Sequence, residues 1–253
     1  MDALENVRAL AFDLDGTLTE SKCEMTPEMG EALAHLLVRL PVGIMSGGSY
    51  TQFQKQVVPF LPVGSHLERL HLFPTSAARC YAYKENEWRL VYSHDFTPDE
   101  KQEIMAALNA GIAKTHIVDD STPTFGERTE DRGAQISFSA LGQNAPIELK
   151  RAWDPTQEKR MPLQKLLVEA LPNFSVRINA SNTIDITRAG ITKAYGIQRF
   201  SEMVGIPMGE MLYVGDALFE GGNDAVVKEA GIPTQSVSNP EETLALIRQF
   251  LTL

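Results

Sequence analysis

The sequence predicts an α/β protein: a parallel-sheet core interrupted by an inserted α+β segment. Three observations carry this. Short, continuous apolar runs stand near both ends of the 253-residue chain, each followed by a helical stretch. That is the pattern of strands buried on both faces under helices. The middle of the chain alternates apolar and polar residues, the mark of sheets with one wet face. Finally, carboxylates and small residues gather where the terminal apolar runs stop, which is where open α/β sheets place their reactive groups.

The first run, Val7 to Phe12, ends in Asp13-Leu14-Asp15-Gly16-Thr17. Two carboxylates this close repel each other unless a cation joins them, and an oxygen-only donor set suits Mg²⁺. Gly16 permits the sharp turn that aims backbone amides at an anion. A helix follows from Pro27 to Leu40, with Thr26 as its cap and Pro27 in its first position. Val42 to Met45 is a second strand ending in Ser46-Gly47-Gly48-Ser49, Tyr50 to Phe60 a helix, and Leu70 to Phe73 a third strand closed by Pro74.

The texture changes near Tyr81. Glu87 to His94 and Ala134 to Ser139 alternate, with helices expected from Pro98 to Ala110 and from Gln157 to Leu171. Val176 to Ile178 and Thr183 to Thr187 read as a hairpin around Asn179 to Asn182. The first texture returns with a helix over Lys193 to Val204 and an apolar strand, Met211 to Val214, ending in Gly215-Asp216. A helix over Asn223 to Glu229, a strand over Thr234 to Val237 and a helix from Pro240 complete the chain. The reading is a core domain of residues 1–83 and 189–253 with an inserted domain of residues 84–188.

The totals exclude some functions. A net charge of −10 with no basic stripe argues against a nucleic-acid partner. Cys23 and Cys80 have neither metal-type nor redox spacing and read as free thiols. No stretch reaches transmembrane length, and Met1 to Glu5 lacks a basic start, so no membrane partner and a cytoplasmic location are expected.

Singly, Ser46 is a turn residue, Lys193 a solvated helix start and Gly221-Gly222-Asn223-Asp224 a capped loop. Together with Asp13, Asp15 and Asp216 they fit phosphoryl transfer, which needs a nucleophile, a neutralising metal and donors around the equatorial oxygens. Asp13 suits the nucleophile, and Asp15 the general acid and later the base. Ser46, Gly47, Lys193 and Asn223 suit phosphate binding. Asp13, Asp15 (through its backbone carbonyl) and Asp216 suit the Mg²⁺, with Asp224 behind them.

This set, in this order, resembles the haloacid dehalogenase superfamily of phosphotransferases. The resemblance implies a Rossmann-like core, and the place of the insert resembles the type 2 (C2B) caps of subfamily IIB, which choose the substrate. Two branches compete. Asp13 to Thr19, Gly47 to Ser49 and Glu127 to Gly133 look like eukaryotic-type phosphomannomutases, which implies that Arg132 grips the distal end of a sugar phosphate. Ile184 to Thr187 and Gly190 to Lys193 resemble Cof-type sugar phosphatases. Gln143 stands where the mutase pattern has an arginine, and Asp185 adds negative charge, so the grip on a second phosphate weakens. The expectation is therefore a Mg²⁺-dependent phosphatase of a small-molecule phosphate ester, a sugar phosphate by preference. A phosphohexomutase is the alternative, and a catalytically silent phosphosugar-binding protein is the other class. The mutase resemblance also implies a homodimer paired through the cap.

Overall fold

The computed structural model describes residues 6–179 and 182–252. Met1 to Glu5, Leu253, and Ala180 and Ser181 in the expected hairpin turn lie outside the described residues. The chain forms two compact units, residues 1–93 with 192–253, and residues 94–191.

The first unit opens with β1 (Ala9–Asp13), α1 (Pro27–Arg39), β2 (Val42–Met45), α2 (Tyr50–Gln56), β3 (Leu70–Phe73), β4 (Arg79–Lys84) and β5 (Glu87–Ser93). The inserted unit contributes α3 (Pro98–Thr115), β6 (Thr129–Asp131), β7 (Gln135–Ser139), α4 (Ile147–Trp153), α5 (Arg160–Ala170), β8 (Phe174–Asn179) and β9 (Thr183–Arg188). The first unit then resumes with α6 (Lys193–Val204), β10 (Met211–Gly215), α7 (Ala225–Glu229), β11 (Thr234–Ser236) and α8 (Pro240–Thr252).

Seven strands pair in the order β11-β10-β1-β2-β3-β4-β5, so β1 and its carboxylates sit at the centre. The five strands from β11 to β3 run parallel; β4 and β5 pair antiparallel at one edge. All five residues of β1 are buried, as its continuous apolar run requires. Thr26 accepts from the Met29 amide at 3.2 Å and Pro27 occupies the first turn, so α1 starts where its cap chemistry dictates. Its buried stripe of Met29, Leu33, Leu36 and Leu37 packs with Leu10, Phe12 and Ile44.

The alternation of Glu87 to Ser93 belongs to a mostly exposed edge strand of this sheet and not to the inserted unit. The unit boundaries therefore fall at Ser93 and Thr192, where the texture of the sequence places them at 83 and 189. The helix expected over Tyr50 to Phe60 stops at Gln56 and continues as a short 3₁₀ turn, Val58–Phe60, because Pro59 has no amide proton to give.

In the inserted unit, β6-β7-β9-β8 form an antiparallel sheet. Ile136, Phe138, Val176, Ile184 and Ile186 cover one face and pack with Ile104 and Leu108 of α3 and Leu163 and Leu167 of α5. A reciprocal cap between Thr97 and Glu100 starts α3. Helix α5 begins at Arg160, later than the expected Gln157, because the Asp154 carboxylate accepts from the amides of Lys159 and Arg160 at 3.0 and 3.2 Å. The two cysteines are free; Cys23 is exposed and Cys80 buried. Among the described residues no helix is long and apolar enough to cross a membrane.

Candidate active site

The carboxyl ends of β1, β2 and β10 meet the start of α6 in one place. Asp13 is the last residue of β1, and Leu14 turns into the core, fully buried. Gly16 follows at φ +90°, where a Cβ would stand 2.6 Å from Asp216 Oδ2. Only glycine allows that approach of the loop to the carboxylate.

Helix α6 brings the cation. Gly196 lies so close to the turn between β3 and β4 that a Cβ there would stand 2.5 Å from that of Ala77. Thr192 caps the helix through the Tyr195 amide. Lys193, the first helical residue, is thereby held inside, only 3% exposed. Its Nζ donates to Asp13 Oδ1 at 2.5 Å and to Asp224 Oδ1 at 2.6 Å. The plain reading of Lys193 as a solvated helix start is excluded by this burial.

The carboxylates that converge are Asp13, Asp216 and Asp224, each with an oxygen within 4.8 Å of the others. Asp15 points elsewhere: its Oδ1 accepts from the Lys22 amide at 2.5 Å and its Oδ2 from Ser46 Oγ at 3.4 Å. Ser46 Oγ in turn accepts from the Gly48 amide at 2.9 Å, which ties the small-residue loop to the Asp15 turn. Asn223 stands in the turn before Asp224, partly buried. In that turn Gly222 passes so close to the Ala217 carbonyl that any Cβ would clash. Arg132 belongs to the inserted unit, where both Nε and Nη2 donate to Glu130 Oε2, at 3.0 and 2.6 Å.

Burial raises the Asp13 carboxyl well above its usual range. Lys193 opposes this, while Asp224 and Asp216 add to it. Burial likewise raises Asp216, with the Asp224 charge next in weight. For Lys193, burial works against the ammonium, but the two carboxylates it touches together win and push its pKa up. The cluster therefore holds more negative charge than one lysine balances. An oxygen-only donor set of this kind fits a hard divalent cation.

Tyr213 belongs to this site and escapes the sequence reading. It is fully buried in β10, and its hydroxyl donates to the Asp224 oxygen that Lys193 also grips. Its signal is a phenol inside an otherwise aliphatic strand, where a buried hydroxyl needs an acceptor.

A family model for haloacid dehalogenase-like hydrolases matches residues 10–224, from the start of β1 to Asp224. The chain belongs to that family of enzymes. It is 26% identical to the phosphomannomutase of Spinacia oleracea over 250 residues, covering 95% of both chains. It is 25% identical to that of Schizosaccharomyces pombe over 250 residues, covering 96% of this chain and 93% of the relative. Among solved structures, the fold resembles a Plasmodium falciparum IMP-nucleotidase, with a TM-score of 0.75 and 17% identity, over 98% of this chain and 69% of that one. It also resembles a haloacid dehalogenase-like hydrolase from Bacteroides thetaiotaomicron, with a TM-score of 0.64 and 14% identity, over 96% and 99%. The fold is that of the family, a Rossmann-like core carrying an inserted α+β unit.

Proposed function

We propose that the protein is a Mg²⁺-dependent phosphatase of a small organic phosphate, a sugar phosphate by preference, acting through an aspartyl-phosphate at Asp13. An Asp13 carboxylate oxygen attacks phosphorus, and the ester P–O bond breaks as Asp15 delivers a proton to the leaving oxygen. Asp15 then takes a proton from water, whose oxygen attacks the same phosphorus, releasing inorganic phosphate and restoring Asp13. Asp15 suits the proton exchange because it is partly exposed, whereas Asp13 is buried. Ser46, Gly47, Lys193 and Asn223 hold the phosphate. Asp13, Asp216 and the Asp15 carbonyl would hold the Mg²⁺, with Asp224 beside them; the ion supplies neutralising charge to the transferring group. Lys193 opposes the burial that raises Asp13 and so favours its ionised form, since a protonated carboxyl is no nucleophile.

The observation favouring hydrolysis over mutation is the polar face of the inserted sheet. Glu130, Ser137, Asp185 and Arg177 stand side by side across its four strands. That row holds one cation and two carboxylates, and Arg132 is already bonded to Glu130. Asp185 is engaged by Ser137 and Asn179. A mutase must grip a second phosphate here, and this group, with each cation matched by a carboxylate, offers it no net positive charge.

The mutase reading draws on the near end-to-end likeness to phosphomannomutases. It brings with it a homodimer paired through the inserted unit, which sedimentation reads out. A silent phosphosugar-binding protein has no use for the Asp13/Asp15 pair. The substrate is a small molecule in the cytoplasm, with neither nucleic acid nor membrane as partner.

Phosphorus NMR with Mg²⁺, mannose 1-phosphate and a trace of hexose bisphosphate separates these readings. Inorganic phosphate appearing, and abolished by Asp13→Asn, supports the phosphatase. A 1-phosphate resonance giving way to a 6-phosphate one makes the protein a mutase. If neither occurs, a generic aryl phosphate tests for turnover at all.

A further inference from the structure

At the opposite edge of the large sheet, around the N-terminal ends of its strands, the first unit carries a cavity of about 1050 Å³. Arg8 at its wall precedes β1 and Asp13 ends it, so the two stand at opposite ends of that strand, roughly 16 Å of chain apart. The catalytic residues take no part in it.

Its charged lining is Arg8, Arg39, Arg69, Lys84 and Glu68, with His71 among them. In a chain of net charge −10, a cavity with four cations against one carboxylate is a local reversal. Arg8 is neutralised by Glu210 at 2.7 Å. Arg39 and Arg69 are not: their Nη1 groups donate to main-chain carbonyls, Phe250 at 2.8 Å and Val38 at 2.8 Å. Among the described residues no carboxylate pairs with Arg39, Arg69 or Lys84. Glu68 hydrogen-bonds His66 at 3.0 Å, and the neighbouring Arg69 charge also stabilises its carboxylate. His71 Nδ1 is buried without a partner.

The plain alternative is that Arg39 and Arg69 only cap the ends of α8 and α1, whose dipoles are negative there. Arg69 does reach the Leu37 and Val38 carbonyls. A helix end, however, carries about half a charge, and those contacts use one nitrogen of each guanidinium. The three full positive charges of Arg39, Arg69 and Lys84 exceed the ends of α1, α6 and α8 together. Between the cations the wall is apolar, including Leu40, Ile206 and Phe250.

We propose that this cavity is a second binding site for a small amphipathic organic anion, an apolar body bearing a phosphate or carboxylate. Arg39, Arg69 and Lys84 receive the anionic group, and the Leu40–Ile206–Phe250 wall receives the body. The site does not depend on the chemistry at Asp13.

The test uses the full chain with chelator present and anilinonaphthalene sulfonate as the fluorescent reporter. Saturable binding of one dye molecule per chain is expected, weakened by salt and about tenfold weaker in Lys84→Glu and in Arg69→Gln. Lys84 is exposed, and among the described residues it has no ion pair, so its variant folds as the parent does; matching melting curves check this. Asp13→Asn retains binding. Unchanged affinity in both cation variants overturns the proposal, as does loss of binding in Asp13→Asn. So does a chain that sediments as a dimer and binds no dye, because the cavity is then a contact between copies.

Discussion

Tyr213 and Asp224 share a hydrogen bond at the floor of the site, 2.5 Å long and wholly buried, on the oxygen that Lys193 also grips. Asp224 thereby passes the position set by β10 to the ammonium that contacts Asp13. Tyr213 touches neither phosphate nor nucleophile in this arrangement, so it is a positioning residue. Tyr213→Phe removes one donor from a buried carboxylate, a loss of about 1–3 kcal/mol. We expect kcat to fall about tenfold or more while KM changes little. Burial raises the phenol far above its usual range, so it donates throughout neutral pH, and the loss is the same from pH 6 to 8. A fall in KM alone, or an effect confined to alkaline pH, contradicts this role.

The three converging carboxylates make a second prediction about pH. Asp13 and Asp216 are raised by burial, with like charges adding. The folded chain therefore binds protons there more tightly than the unfolded chain does. In chelator, the contribution of this cluster to stability is greatest at low pH and is lost as pH rises through the raised folded values. Mg²⁺ binds the ionised form and reverses the trend, so it raises the melting temperature most at neutral pH and above. Asp13→Asn relieves the repulsion and flattens the chelator curve. A melting temperature indifferent to Mg²⁺ at pH 8 removes the metal from this site.

The core was legible because its signals are local. A fully apolar β1 ending in Asp13, a capped α1 and a glycine forced by close approach at Gly16 all leave marks on neighbouring residues. What stayed hidden depends on residues distant in the chain. Tyr213 looks like one more strand residue until Asp224 arrives from a later turn. Asp15 looks like a twin of Asp13, yet the Lys22 amide and Ser46 draw its carboxylate away from the cluster. The alternation of Glu87 to Ser93 reports an exposed edge correctly, but nothing within it says which sheet the edge belongs to. Helix α4 follows Pro146 with little apolar periodicity, and its Lys150 is buried, with its Nζ on the Gln143 carbonyl at 2.8 Å.

The inserted unit is held by an ion pair that can be tested alone. Arg160 Nε donates to Asp154 Oδ2 at 2.8 Å, with both side chains 1% exposed. The remaining guanidinium nitrogens reach the carbonyls of Asp154, Asn179 and Thr183. This one side chain therefore fastens the start of α5 to both strands of the hairpin, β8 and β9. Arg160→Met strands a buried carboxylate and should cost about 3–5 kcal/mol. Asp154→Leu together with Arg160→Met removes the uncompensated charge and should recover part of that loss. Denaturant melts of the parent and the two variants decide it: a double variant as weak as the single assigns the loss to the carbonyl contacts.

His71 gives stability a dependence on acid that is separate from the catalytic cluster. Burial lowers its pKa to about 4, with the Lys84 charge also lowering it and the Arg69 backbone opposing. The folded chain keeps this ring neutral where the unfolded chain protonates it near 6.5. Its contribution is intact above pH 6.5 and declines as pH falls from there toward 4, where the loss reaches about 3 kcal/mol. His71→Gln keeps a hydrogen-bonding group beside Phe200, whose ring lies 5.3 Å away, but cannot take up the proton. Its melting temperature should fall less between pH 6.5 and 4.5 than that of the parent chain. Parallel curves for the two proteins across that interval assign the acid sensitivity to another group.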